Sequence, residues 1–542
     1  MPQDGTTGEV TTRYDYVVIG AGSAGSVLAA RLAGAGRRVL LLEAGPGRGR
    51  SLLHRLPFAF PKLWFRPDAS WNLRTEPEPC MADRSLPIPR GRGLGGSSAI
   101  NGMIYNRASA WDWDRWGEIV SPDWRFEAML PWFKRVEAHY GGDSALHGGS
   151  GPVPIRRLPA PSPLSQTVLG AARGMGYPVT DDFAGAEPEG FGVPDFTIDR
   201  RARRCSASDA YLPRPPATLR IERGATVSRI LIEAGRAVGV EYERNGEYRA
   251  AHADAEVVLC GGALASPQIL MLSGIGPADV LRRAGVSCAV DRAEVGRNLQ
   301  DHIGGAFEVE SADPRTFERT LRLDRFAVAT VQWALGLGGP LGAPPVIAMG
   351  IVRSTQGIPA PDLRLLISGV SMNSRPWFPK LRPGRGPAMM VGFSICYPRS
   401  RGFVEIRSAD PAVAPAFCYN GLCERGDVDD LVRAYRMTRE LLDEGAMQSL
   451  VKGLPAGLPD PHDAGAVEAW LRRAAMITHH PVGSCRMGAD ADAVVDPRCR
   501  VNGVGNLRVV DASIFPQQIG GNPNVPIMAI AEKIAAGMLA GE

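Results

Sequence analysis

The chemistry available to this chain is concentrated in one histidine pair near its end and two glycine clusters near its start. Residues His479 to Gly488 read His-His-Pro-Val-Gly-Ser-Cys-Arg-Met-Gly. Imidazole is the side chain that is a neutral base near physiological pH. The two histidines are adjacent, so in an extended segment their side chains diverge and one of them serves a given site. Residues Asp15 to Gly25 read Asp-Tyr-Val-Val-Ile-Gly-Ala-Gly-Ser-Ala-Gly, with Gly20, Gly22 and Gly25 in G-x-G-x-x-G spacing. A loop of that kind at a strand-to-helix turn offers unpaired N–H groups and a partial positive charge to a pyrophosphate. Residues Gly91 to Asn101 add Gly95 and Gly96, which let backbone run close to a flat ring system, and the small polar groups of Ser97, Ser98 and Asn101.

The elements that must position these groups can be read around them. Tyr14 to Ile19 is apolar and β-branched, so it predicts a buried strand, and Ala24 to Ala33 has helical composition. Val39 to Leu42 predicts the next strand, ending at Glu43, about 20 residues past the glycines as the dinucleotide fingerprint requires. Gly20 then permits the tight turn, Gly22 lets backbone approach the phosphates, and Gly25 lets helix and strand pack closely. Glu43 can accept from a ribose hydroxyl; an acidic residue there disfavours a 2′-phosphate and hence NADP, and leaves FAD and NAD open. Near the C-terminus, Gly521-Asn522-Pro523-Asn524 is turn punctuation before a helix predicted over Pro526 to Leu539.

At 542 residues the chain has room for two domains and a large core. The formal net charge of +4 is small for this size, and no Lys/Arg run suggests nucleic acid. The short basic cluster Arg200-Arg201-Ala202-Arg203-Arg204 reads as a solvated loop. Nine cysteines without a C-x-x-C, in odd number, argue against a disulfide framework. Cys485 reads as a small buried hydrophobe. Met1 to Thr12 is polar and lacks an apolar core, and no apolar run approaches the roughly 18 residues of a membrane span. The expectation is a cytoplasmic protein with no membrane span and no bound metal.

Taken with three further segments, these motifs resemble the glucose–methanol–choline (GMC) oxidoreductases. Gly91 to Asn101 followed by Tyr105 is similar to the first signature of that family, and Gly262-Ala-Leu-Ala-Ser-Pro-Gln-Ile-Leu-Met-Leu-Ser-Gly-Ile-Gly276 to its second. Val295 to His302 and Asn506 to Ser513 also match family segments. The likeness runs from about Asp15 to the C-terminus and is weakest between Glu308 and Arg472, which in this family shapes the substrate pocket.

The resemblance implies an α/β chain, α+β overall, with a Rossmann-type FAD-binding domain and a discontinuous substrate domain built on an antiparallel sheet. The FAD domain would combine 14–155, 205–305 and 473–542; the substrate domain, 156–204 and 306–472. Pro-rich segments such as Leu158 to Pro163 and Gly338 to Pro345 agree with breaks nearby. It implies FAD-dependent oxidation of an alcohol to the aldehyde or ketone, by an oxidase or an acceptor-dependent dehydrogenase. The hydride would pass to flavin N5, His480 rather than His479 would be the general base, and Asn522 would hold the substrate oxygen. FAD contacts would come from Gly20, Gly22, Ser23, Ala24, Gly25, Glu43, Ala44, Arg92, Gly95, Gly96, Ser97, Asn101, Gly102, Met103, Ile104, Val227, Asp511, Asn522 and Pro523. The C-terminal helix would face the flavin pyrimidine, and Trp64, Phe65 and Trp71 could line the substrate entrance. A flavin-dependent lyase or a light-driven fatty-acid decarboxylase is the alternative within the same family.

A quaternary-ammonium substrate requires a carboxylate and an aromatic cage, which the sequence does not display, so a neutral primary or aromatic alcohol is the broader expectation. Some relatives tether FAD through a histidine at the position of Ile100, and Ile100 has no nucleophile. The purified protein is therefore expected to release its yellow chromophore into the supernatant on acid precipitation; a yellow pellet would show a covalent link.

Overall fold

The computed structural model describes residues 13–46, 51–157 and 162–541. The polar stretch Met1 to Thr12 and most of the Pro-rich segment Leu158 to Pro163 lie outside the described residues.

The first strand, Arg13–Ile19 (β1), carries apolar residues on both faces, and its last four are all buried. Such a run belongs in the centre of a parallel sheet covered on both sides. β1 lies parallel to Val39–Glu43 (β2) on one side and to the long strand Glu247–Leu259 on the other. Leu219–Arg223 extends the sheet beyond β2, also parallel. The first half of Glu247–Leu259 pairs antiparallel with Arg236–Arg244, which pairs in turn with Ala225–Glu233. Its last residues, Val257 to Leu259, pair parallel with Leu507–Val509, so the C-terminal segment returns to the first sheet.

Between β1 and β2 runs the helix Ser23–Gly34 (α1). Gly20 takes φ +95° in the turn that feeds it, a left-handed conformation natural to glycine. The C-terminal helix, Asn524–Ala540, starts two residues before the expected Pro526. Pro526 sits in its first turn, where a missing N–H costs little. The two helices are joined at their N-terminal ends by Ser23 Oγ donating to Asn524 Oδ1 at 2.7 Å. Farther along, Arg31 pairs with the buried Glu532 at 2.7 Å, which also accepts from Tyr211 at 2.8 Å.

The second sheet has the strands Gly190–Gly192, Ile303–Ser311, Val346–Val352, Leu363–Ser368, Ala388–Ile395, Val451–Gly453 and Met476–Ile477, and every pairing in it is antiparallel. Leu363–Ser368 alternates buried and half-buried residues. Leu365 lies opposite Phe393, whose ring meets Tyr435 of the helix Arg425–Asp443 at 5.8 Å. Arg364, one residue out of phase, therefore points to the other face of the sheet.

The cysteines form no framework, but one pair separated by 343 residues, Cys80 and Cys423, is bridged. The odd count gave no sign of this bridge, because spacing in sequence does not report spacing in space. No helix among the described residues is long and apolar enough to cross a membrane.

A Cβ added to Gly25 would stand 1.9 Å from the carbonyl oxygen of Gly20. Gly25→Ala should therefore cost at least the upper end of the roughly 1–3 kcal/mol typical of overpacking, because backbone cannot give way as a side chain can. A lowered Tm and low flavin content would register it; wild-type values for both would show that α1 can move off β1.

Candidate active site

The glycine clusters meet at the end of β2, around the buried carboxylate of Glu43. Glu43 Oε2 accepts from Ala21 N at 2.9 Å; Oε1 accepts from Gly45 N at 2.8 Å and Gly93 N at 2.9 Å. Three of the roughly four lone-pair sites of the carboxylate are thus used on backbone. The sequence assigned Glu43 to a ribose hydroxyl; in the structure it also ties the α1 turn, the end of β2 and the 91–96 loop together. Gly95 N donates to Ala21 O at 2.8 Å, closing the same junction. Gly95 and Gly96 take φ +91° and +50°, and a Cβ on Gly96 would stand 2.9 Å from Gly22 Cα.

The donor set fits a dinucleotide. A Cβ on Gly22 would meet nothing within 4 Å, so the face of the loop beside the α1 N-terminus is open. Ala24 lies buried in the first turn of α1, and Ala44 is half-buried just past Glu43. In the 91–96 loop, Arg92 Nε is a buried polar atom with no hydrogen-bond partner among the described residues. An unpartnered buried donor at this junction suits a bound polar group.

The remaining sequence-assigned residues fall around this junction to differing degrees. Ser97 Oγ accepts from Gly91 N at 3.1 Å, and Asn101 Oδ1 accepts from Met103 N at 3.1 Å. Gly102 stands against Phe60, where a Cβ would lie 3.7 Å from the ring. Val227 is buried in Ala225–Glu233, a strand whose preceding residue, Gly224, donates to Gly45 O at 2.9 Å. Asp511 is occupied within the protein: Oδ2 accepts from Gly262 N at 2.9 Å and Ser266 Oγ at 2.6 Å, and Oδ1 from Ser513 N at 2.8 Å. Ile100 is buried in a small apolar cluster with Leu63 and Ala69. Its carbonyl accepts from Trp64 Nε1 at 3.0 Å, and the Trp64 ring stands edge-on to His479 at 5.3 Å. Phe65 is exposed, Trp71 lies under the Arg92 guanidinium at 4.6 Å, and Cys485 is fully buried.

The basic cluster is not a solvated loop throughout. Arg204 is buried, donating to Asn101 Oδ1 at 2.7 Å, Ser98 O at 3.2 Å and His54 O at 3.0 Å. Burial pulls its pKa down to about 9. A run of four arginines in five residues hides which one turns inward.

His480 is held from every side. Its N–H donates to Asp301 Oδ1 at 2.9 Å and its carbonyl accepts from Gln518 Nε2 at 3.0 Å. The adjoining residues are held too: Thr478 N donates to His302 O at 3.0 Å, and Val482 N to Gln300 O at 2.9 Å. Burial raises the Asp301 pKa to about 7.

The His480 ring has a defined proton arrangement. His302 Nε2 lies 2.8 Å from Ile519 O; a carbonyl only accepts, so this nitrogen carries a proton. Burial first, then Arg364, keeps His302 neutral, with its pKa down to about 3. Its Nδ1 is therefore a lone pair. His480 Nδ1 sits 3.1 Å from that lone pair and 3.1 Å from Thr478 Oγ1, so it is the donor. The lone pair of His480 must then reside on Nε2. Burial, then Arg364, holds His480 well below the ordinary imidazole range. His479 is also neutral, its pKa lowered to about 3 by burial and then Arg90. It takes φ +67°, and its carbonyl accepts from Arg90 Nη2 at 2.6 Å.

Asn522 stands on the other side of the site. Its N–H donates to Asn106 Oδ1 at 2.6 Å, and its Oδ1 accepts from Arg364 Nη1 at 2.6 Å. The guanidinium fixes the amide orientation, turning Nδ2 toward Ile104 O at 3.4 Å. That contact is long, and Nδ2 has a second N–H to offer. Pro523 N-caps the C-terminal helix just beyond. Sequence reasoning did not assign His302, Asp301, Thr478, Asn106, Gln518 or Arg364. His302 closes a segment that matched the family, which was a usable signal; Arg364 lies in the stretch that matched least.

A family model described as GMC oxidoreductase matches residues 14–304, and a second of the same description matches 398–531. An oxygen-dependent choline dehydrogenase of Photobacterium profundum is 37% identical, over 98% of this chain and 94% of that one. The mitochondrial choline dehydrogenase of Mus musculus is 38% identical, over 96% and 89%. Among solved structures, a pyridoxine 4-oxidase from Mesorbium loti aligns with a TM-score of 0.86 at 31% identity, over 97% of this chain and 99% of that one. A formate oxidase aligns with a TM-score of 0.91 at 24% identity, over 98% and 99%, a likeness of fold.

Glu43→Gln would set an amide NH2 against one of three N–H donors. A loss of about 1–3 kcal/mol is expected, the cost of an unsatisfied buried polar group. Lowered Tm together with lowered flavin content would register it; a variant with both unchanged would show that the junction does not need the charge.

Proposed function

This chain belongs to the GMC oxidoreductases, and on that premise we propose that His480 is the base that takes the hydroxyl proton of an alcohol substrate at Nε2. The protein is an FAD-dependent oxidoreductase acting on CH–OH donors. When bound, FAD supplies the acceptor for the hydride that leaves the carbinol carbon. Gly20, Gly22 and the α1 N-terminus would hold its pyrophosphate, and the 91–104 segment would lie along its ring system. The packing of Ile100 among aliphatic side chains supports a cofactor held without a covalent link.

The observation that carries the proposal is the relay from Ile519 O through His302 to His480. It leaves the base lone pair on one nitrogen only, so no tautomeric equilibrium dilutes the reactive form. Asn522 donates from Nδ2 to the substrate oxygen, and it cannot titrate near neutrality. His480 is then the one base that takes the substrate proton, and Asp301, raised to about 7 by burial, is a second titratable group bonded to its backbone. The partners are an alcohol and an electron acceptor, oxygen or another.

Because the neutral imidazole is the working form, flavin reduction should be fast above the His480 pKa and fall as pH drops through it. The lowered pKa places that limb below the ordinary imidazole value of about 6.5. His480→Ala should slow anaerobic flavin reduction by at least roughly 100-fold, with flavin content kept, and His479→Ala far less. Asn522→Ala should slow reduction and retain the same basic limb. Stopped-flow rate–pH profiles decide: a larger loss in His479→Ala moves the base to His479, and loss of the limb in Asn522→Ala reverses the two roles.

A further inference from the structure

Arg364 is a cation with no carboxylate in direct contact among the described residues. It sits on Leu363–Ser368, on the sheet face turned away from the helix Arg425–Asp443. Its guanidinium donates to Asn522 Oδ1 at 2.6 Å and, more weakly, to Thr478 Oγ1 at 3.5 Å. It thereby spans the two sides of the active site, one contact from the proposed oxygen holder and one from a partner of the His480 ring. Among the described residues no carboxylate lies within 4 Å of it. Its cross-strand neighbours are Ile351 and Ser394, which carry no charge.

The charges nearby do not cancel it. Arg90 is a second arginine here without a carboxylate partner; it is spent on the carbonyls of Pro89 and His479. The carboxyl of Asp301 acts on both guanidiniums through space, but it is one group against two, and burial raises its pKa to about 7. His302, His479 and His480 are neutral. The groups around Arg364 thus sum to a net positive charge, and a guanidinium makes up to five hydrogen bonds, of which two are in place here. A buried or half-buried cation left this way is costly unless an anion completes it.

We propose that Arg364 is the counter-ion for a carboxylate carried by the alcohol substrate, so that the enzyme oxidises hydroxy acids in preference to neutral alcohols and discriminates against quaternary ammonium alcohols. This rests on the alcohol-oxidising reading of the same site. It departs from the neutral alcohol expected from sequence, and from the choline named for the relatives. Arg364 is a specificity-determining residue in this account, because it is placed to recognise a group remote from the reacting carbon.

The test compares matched alcohols on the FAD-loaded enzyme: 4-(hydroxymethyl)benzoate with benzyl alcohol, and choline with its neutral isostere 3,3-dimethylbutan-1-ol. In wild type, kcat/KM for flavin reduction should favour the anion over its neutral match by about 10- to 100-fold, the range of a charged hydrogen bond, and should disfavour choline against its isostere. Arg364→Met should shrink the anion-to-neutral ratio at least tenfold, whatever it does to the neutral alcohol, and Arg364→Lys should restore part of the ratio. Benzoate, which cannot be oxidised, should raise the Tm of wild type more than that of Arg364→Met. Equal losses on benzyl alcohol and 4-(hydroxymethyl)benzoate in Arg364→Met would assign Arg364 to the reacting oxygen and overturn the proposal. So would a wild type that prefers choline to its isostere, or a benzoate shift that survives Arg364→Met. A wild type that neither is reduced by any alcohol nor shows the His480 basic limb would instead overturn the alcohol-oxidising reading, while the benzoate shift would still report on Arg364.

Discussion

The buried carboxylate of Glu43 constrains the whole cofactor end of the molecule. A carboxylate in that position must be satisfied or it destabilises the fold. It is satisfied by three backbone N–H groups from three segments: the turn into α1, the end of β2, and the 91–96 loop. The pairing of β1 with β2 already brings the first two together; the 91–96 loop is joined to them by Glu43 and by the bond from Gly95 N to Ala21 O. Their convergence brings Gly96 against Gly22. It also aligns the start of α1 with the start of the C-terminal helix through Ser23 and Asn524. Two helix N-termini then face the same region, and their partial positive charges add there. The C-terminal helix carries Asn522 at its approach, so the glycine cradle and the proposed catalytic side chains share one scaffold.

A second constraint acts on protons. The Ile519 carbonyl accepts a hydrogen bond and nothing else, and this fixes the His302 tautomer and, through it, the His480 tautomer. The arrangement is useful only if the backbone around His480 does not move, since a rotation of the ring would exchange the two nitrogens. Asp301, Gln518 and the pairing of Gln300 with Val482 hold the backbone on both sides, and the contacts of His480 Nδ1 with His302 and Thr478 oppose rotation of the ring. Precise placement of a base contributes as much to its efficiency as its pKa does.

What the sequence disclosed follows a physical division. The strand, turn and helix around Gly20, Gly22 and Gly25 are local, and each glycine answers a local steric demand, so spacing alone locates them. His480 was legible because its segment resembles a known one, and the antiparallel second sheet was legible for the same reason. The partners of His480 were not, because His302 meets it across 178 residues of chain. Arg204 was misread since four arginines in five residues look alike until the fold buries one. The Cys80–Cys423 bridge is a long-range fact of the same kind. Arg364 is the extreme case: it lies between the two segments that the family models match, and nothing in its neighbourhood of sequence marks it.

That placement bears on how far similarity along the whole chain can carry a substrate. Identity of 37% over nearly the full length shows the family and with it the general chemistry, but not the charge of the alcohol. The charge of the pocket rests on single side chains such as Arg364. Arg364 also acts on the base, because next to burial its positive charge contributes most to the lowered pKa of His480. A carboxylate seated on Arg364 would cancel much of that Coulombic effect. His480 would then become the stronger base when a hydroxy acid occupies the site, and would stay a weak one when the site is empty or holds a neutral alcohol. On the proposed reading, one guanidinium thus selects the substrate by its charge and couples its arrival to proton removal.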